Sequence, residues 1–137
     1  MTQDNNHTIL DESDDLVLSH IFEEAYLTIK TTGERISLGN FYGEPICGLI
    51  SNSNDWCIVG GSELVVWTKE EITRIKDADL YWACKIRQKS DTKVEILIDP
   101  WADNSSIWEF DILTKERSKI KDFPYYKGKE YSETIIW

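Results

Sequence analysis

Residues 54–67 constrain the chain more than any other stretch, because two apolar, β-favouring runs, Trp56–Val59 and Leu64–Trp67, flank Gly60, Gly61 and Ser62. Glycine reaches positive φ without steric cost, so this punctuation specifies a tight β-hairpin whose tip is almost bare backbone. Side chains alternate across a strand, which puts Trp56 and Ile58 on one face and Cys57 and Val59 on the other. Val65, Val66 and Trp67 stand opposite and are apolar too. Both faces therefore need cover, and the hairpin belongs at the centre of a sheet. Its Gly60-Gly61 tip is the place where a partner's backbone could approach closely.

The other elements follow from alternation and turn residues. Ala25–Lys30 and Arg35–Leu38 alternate around a turn at 31–34 and read as a half-exposed hairpin. Ile46–Ile50 is a short strand after a loop rich in glycine. Leu80–Arg87 pairs with Val94–Ile98, Ile107–Leu113 pairs with a strand through Ser118–Ile120, and Tyr131–Trp137 supplies a last strand. Leu16–Phe22 fits either a helix face or a strand, and strand or irregular structure is favoured. Thr68 and Glu71 have capping-box spacing ahead of Ile72 and Ile75, which predicts a two-turn helix over 69–76. The sum is a mainly β chain of about nine strands and one short helix, folded as an antiparallel β-sandwich or curled barrel. Residues 1–13 are polar apart from Ile9 and Leu10 and are expected to form a poorly ordered acidic arm; 14–137 form one globular domain. Two tryptophan-bearing hairpins resemble propeller blades, but 137 residues are too few for a propeller and no repeat is evident.

Composition removes several function classes. Hydrophobic residues at 41% and aromatics at 12% exclude a disordered chain. No apolar run approaches the roughly 18 residues of a membrane-spanning helix, and the first residues lack the basic and apolar regions of a signal peptide, which places the protein in the cytosol. Cys47, Cys57 and Cys84 are odd in number, lack C-x-x-C spacing and sit in apolar contexts, so they read as buried reduced thiols. The net charge of −10 is concentrated at the front: residues 1–24 carry seven acids and no Lys or Arg, and the other 113 hold 18 acids against 15 bases. Such a chain is repelled by phosphates and anionic membranes, whereas a basic protein partner is attracted. The same acids also serve simply to keep a small protein in solution.

Catalytic signatures are missing. Only His7 and His20 could serve as a base beside a nucleophile, and a structural role for His20 is the simpler reading. Neither the cysteines nor the histidines have zinc-ligand spacing. Asp99, Asp103 and Asn104 crowd one loop, where turn formation explains them better than a metal does. Glu63, Glu95, Glu109 and Asp111 fall in or beside strands; Glu109 and Asp111 share a side, and a solvated face is favoured over an acid–base pair. Of the six tryptophans, Trp56, Trp67, Trp82 and Trp108 lie within strands and should pack. Trp101, in a proline turn, and the loop bearing Phe123, Tyr125 and Tyr126 are better placed for exposed contacts. The chain is therefore not an enzyme and needs no metal or cofactor.

Taken together, the acidic front segment, the Asn54–Trp67 hairpin and the turn at Asp99, Pro100 and Trp101 resemble, as a type, the small acidic immunity proteins that bacteria hold against polymorphic or contact-delivered toxins. The resemblance implies a non-catalytic inhibitor that binds a cognate, often basic, toxin domain and blocks its active site or an adjacent surface. Asp11, Glu12, Asp14, Asp15, Glu23 and Glu24, with Asp103, would supply charge, and Trp101, Tyr125 and Tyr126 would anchor the partner. The alternative is a ligand- or carbohydrate-binding β-domain that uses its exposed aromatic residues.

Overall fold

In the computed structural model, which describes residues 7–137, twelve strands form three four-stranded antiparallel sheets, each an uninterrupted meander. Sheet A holds β1 (Thr8–Glu12), β2 (Leu16–Ile21), β3 (Glu24–Ile29) and β4 (Arg35–Asn40). Sheet B holds β5 (Cys47–Ile50), β6 (Trp56–Gly60), β7 (Leu64–Thr68) and β8 (Ile72–Ile75). Sheet C holds β9 (Ala83–Gln88), β10 (Lys93–Ile98), β11 (Ser106–Asp111) and β12 (Arg117–Asp122). The chain is mainly β and antiparallel as expected, but it is neither a two-layer sandwich nor a closed barrel: B lies between A and C.

The middle position of sheet B follows from its sequence. Cys57, Val59, Val65 and Trp67 project to one side and pack with Leu16, Leu18, Ala25, Leu27 and Leu38 of sheet A. Trp56, Ile58, Leu64, Val66 and Ile75 project to the other and pack with Val94, Ile96, Ile98, Phe110 and Ile112. Burying each of these large apolar side chains is worth about 1.5–3 kcal/mol, so a hairpin apolar on both faces is most stable with a sheet on each side. The first strands approach most closely, β1 against β5 and β5 against β9, as the inner strands of adjacent propeller blades do. Three blade-like sheets thus fan from one inner edge.

Two sequence expectations change, and a third falls partly outside the described residues. The helix over 69–76 is replaced by a turn and strand β8. Thr68 Oγ1 does accept from the Glu70 and Glu71 N–H groups, at 3.3 and 3.2 Å, but the Thr68 N–H donates to the Glu71 carbonyl, closing a hairpin. Pairing of Leu64 with Ile75 and Trp67 with Ile72 then outweighs the local helix signal. Among the described residues no α-helix forms, only two 3-10 turns, Ala78–Leu80 and Pro124–Tyr126. The expected arm over 1–13 straddles the edge of the description: 1–6 lie outside it, and Thr8–Glu12 is β1. Lastly, 131–137 form no strand. Phe123, Tyr126, Ile135 and Trp137 instead cover Leu97 and Ile107 on the outer face of sheet C.

All loops after odd-numbered strands gather at one end of the fan, tied across sheets by Ser13 Oγ to Asn54 Oδ1 (2.6 Å), Asn52 N–H to Gln88 Oε1 (2.9 Å) and Trp56 Nε1–H to the Asp91 carbonyl (2.8 Å). The loops after even-numbered strands, which include both sheet-to-sheet crossovers, form the other. This second end is called the crossover end below.

Candidate functional site

The glycine tip of the central hairpin lies at the crossover end, and the protein's own chain occupies it. A Cβ on Gly60 would stand 2.8 Å from the Ala83 Cβ and 2.9 Å from Cys47 Sγ, and one on Gly61 would stand 3.3 Å from the Pro45 Cα. The close approach open to a partner's backbone is thus taken internally, by residues 41–46 and 82–83. The Ile46 N–H donates to the Gly60 carbonyl at 2.8 Å, the Trp82 N–H to that of Gly61 at 2.6 Å, and the Tyr42 N–H to Ser62 Oγ at 2.9 Å.

These bonds hold large apolar side chains out into solvent. Phe22 is 71% exposed, Tyr42 81% and Trp82 45%, and Ile46, in the same crossover as Tyr42, is exposed too. Phe22 and Trp82 also have left-handed backbones, φ +50° and +65°, where a bulky side chain costs about 1–2 kcal/mol. Among the described residues the two other non-glycine residues of that kind, Asn54 and Lys115, sit in hairpin turns, as does Phe22, in the two-residue turn between the paired Ile21 and Glu24. Phe22 and Trp82 are fixed by bonds to their main chain. His20 Nδ1 lies 2.9 Å from the Phe22 carbonyl, and the Trp82 carbonyl accepts from the Asp99 N–H at 3.0 Å. Glu23 joins the β2–β3 loop to the crossover by accepting the Phe41 N–H on its carbonyl and the Gly43 N–H on its carboxylate.

The aromatic loops of sheet C continue this end. Trp101 stacks on Tyr131 with centroids 5.1 Å apart and meets Tyr126 edge-on at 6.1 Å. Trp101 and Tyr131, with Ile46, Cys84, Lys85 and Ser132, border a hollow of about 390 Å³. Tyr125 is exposed and packs edge-on against Phe123, while Tyr126 stacks on Phe123 and accepts the Ile136 N–H on its hydroxyl. Asp103 pairs with Lys127 at 2.8 Å, and that bond holds its carboxyl below the usual aspartate range.

The acids of the front segment divide between the two ends, and most have local partners. Glu23 and Glu24 lie at the crossover end; Glu24 accepts from Ser37 Oγ at 2.7 Å, which lowers its pKa. Asp11, Glu12, Asp14 and Asp15 lie toward the opposite end. Asp11 is half-buried and joins sheets A and B by accepting the Ile50 N–H at 2.7 Å. Glu12 pairs with Lys30 at 2.7 Å, Asp15 accepts from Asn54 Nδ2 at 3.2 Å, and Asp14 is exposed. Of the ten residues singled out in the sequence, six share the crossover end: Glu23, Glu24, Trp101, Asp103, Tyr125 and Tyr126.

Other candidate chemistry resolves into structural roles. The three thiols are free; burial pushes those of Cys47 and Cys57 far above the usual range, and raises that of Cys84 less. Glu109 pairs with Lys89 and Lys93, and Asp111 accepts the Leu113 and Thr114 N–H groups in its own turn. Among the described residues no three His, Cys, Asp or Glu side chains are grouped closely enough to hold a metal ion, and no helix is long and apolar enough to cross a membrane.

Sequence reasoning missed Phe22, Tyr42 and Trp82. Trp82 was expected to pack inside a strand, yet it precedes β9 and is exposed. Loop placement was the available signal for Tyr42, between Gly39 and Gly43; the left-handed backbone of Phe22 comes with the two-residue turn between β2 and β3, and nothing local marks that of Trp82. No protein-family model matches the chain, and no curated protein matches it.

Proposed function

We propose that the chain is a non-catalytic, cytosolic protein inhibitor of the immunity type, which seats a cognate basic toxin domain on its crossover end. The observation that carries this reading is the pair Phe22 and Trp82: two aromatic rings held in solvent on strained backbone, at one end of the fan. Strain of that kind persists where the surrounding structure enforces it, and exposed aromatic anchors ringed by polar groups are the usual energetic centre of a protein interface. The exposed acids Glu23, Glu44 and Asp79 stand on the same set of loops and would speed encounter with a basic surface. The carbohydrate-binding alternative has weaker support, since one face of the Trp101 ring is stacked against Tyr131.

The test is calorimetric titration against basic toxin domains encoded beside the gene. A stoichiometric complex that weakens as salt rises, and weakens about tenfold or more in Phe22→Ala and in Trp82→Ala, would support the reading. Absence of a complex with every such domain would overturn it.

A further inference from the structure

A second cleft lies away from the crossover end. At the opposite end sheets A and B splay apart, leaving about 550 Å³ between them, within the size range of small-molecule sites. Its floor is made of Leu16, Ile29 and Ile36 from sheet A and Trp67 from sheet B. These side chains stand on paired strands, so the floor is rigid. Trp67 is the penultimate residue of β7, pairs with Cys57 and is buried.

The rim is polar and asymmetric. Sheet A contributes the exposed carboxylates Asp15 and Glu34 together with Thr31; sheet B contributes Asn54 and Lys69. Asn54 is fixed from both sides, since its Oδ1 accepts from Ser13 Oγ and its Nδ2 donates to Asp15. Lys69 has a carboxylate of its own nearby, Asp55 at 3.7 Å, which offsets its charge. Two carboxylates against one partly neutralised ammonium leave the mouth negative over an apolar floor.

We infer that this cleft binds a small organic amine: an apolar aryl or alkyl body lying on Leu16, Ile29, Ile36 and Trp67, with its ammonium turned to Asp15 and Glu34. The body supplies most of the affinity through buried area, and the carboxylates set the sign of the charge that is accepted. This site is separate from the proposed partner face and does not depend on it.

Three probes of nearly equal shape test the assignment: phenethylamine, 2-phenylethanol and phenylacetate, each titrated into the full chain while the six tryptophan indole resonances are followed by NMR. The Trp67 resonance is assigned from its loss in Trp67→Phe. Phenethylamine is expected to shift that resonance saturably, 2-phenylethanol about tenfold more weakly, and phenylacetate not at all. Glu34→Gln, at an exposed position, is expected to bring phenethylamine close to the alcohol. No saturable shift up to about 10 mM amine, or phenylacetate binding as tightly as the amine, would overturn the inference.

Discussion

Trp82 is tied to the tip of the central hairpin: its N–H donates to the Gly61 carbonyl at 2.6 Å, while its own carbonyl accepts from Asp99 at 3.0 Å. The ring is thereby held outside the core at φ +65°. Replacing it by glycine removes the left-handed strain but adds flexibility to the unfolded chain, so Trp82→Gly should leave stability within about 1 kcal/mol of the parent or raise it. The same holds for Phe22→Gly. Urea denaturation checks both, and a loss well above that value would mean that the rings support the fold.

Gly60 is the point where the hairpin meets β9. An alanine Cβ there would stand within 3 Å of both Ala83 and Cys47, and neither is the far end of a flexible side chain. Gly60→Ala should cost about 1–3 kcal/mol by overpacking. Gly43, where nothing lies within 4 Å but φ is +82°, gives the contrast: Gly43→Ala should cost only the left-handed backbone term, about 1–2 kcal/mol. A Gly60→Ala cost well below about 1 kcal/mol would contradict the packing described at the tip.

Several carboxyls titrate below their ordinary values in the folded chain: Asp111 because it accepts the Thr114 and Leu113 N–H groups, Glu24 through Ser37, and Glu109 through Lys89. A carboxyl lowered by folding adds stability that is complete above its unfolded pKa of about 4 and is lost as pH falls through the folded value. The urea midpoint should therefore hold steady from pH 7 to about 5 and fall below about 4.5. Asp111→Asn, which keeps one acceptor oxygen, should make that acid limb shallower. An unchanged limb would remove Asp111 from the set.

Cys57 is fully buried between sheets A and B, and desolvation strongly favours its protonated form. Because the thiolate is the reactive species, Cys57 and Cys47 should resist iodoacetamide at pH 8 until the chain unfolds, with Cys84 labelling first. Mass spectrometry of partly labelled protein reads the order directly.

The central hairpin was legible because its apolar pattern and its glycines agree. So was the half-exposed pair around Gly33, where alternation is clean. The threefold meander was not: β1, β5 and β9 share a position and almost no residues, so sequence self-similarity carries no trace of the repeat. Strand β8 was hidden because Thr68 bonds the next N–H groups in a helix cap and in a tight turn alike, and only pairing with β7 decides between them. Trp82 was misplaced because Leu80, Tyr81 and Ala83 around it read as one strand, while the turn that carries it is imposed by Gly61 and Asp99 from elsewhere in the chain.

The proposed partner-binding role of the crossover end is tested most directly by hydrogen exchange of the chain alone and in complex with a toxin domain that titration shows to bind it. Protection on binding is expected to concentrate in residues 22–24, 41–46 and 78–83, where Phe22, Tyr42 and Trp82 stand. Protection confined to the loops at 13–15, 31–34 and 69–71, with the crossover end unchanged, would contradict it.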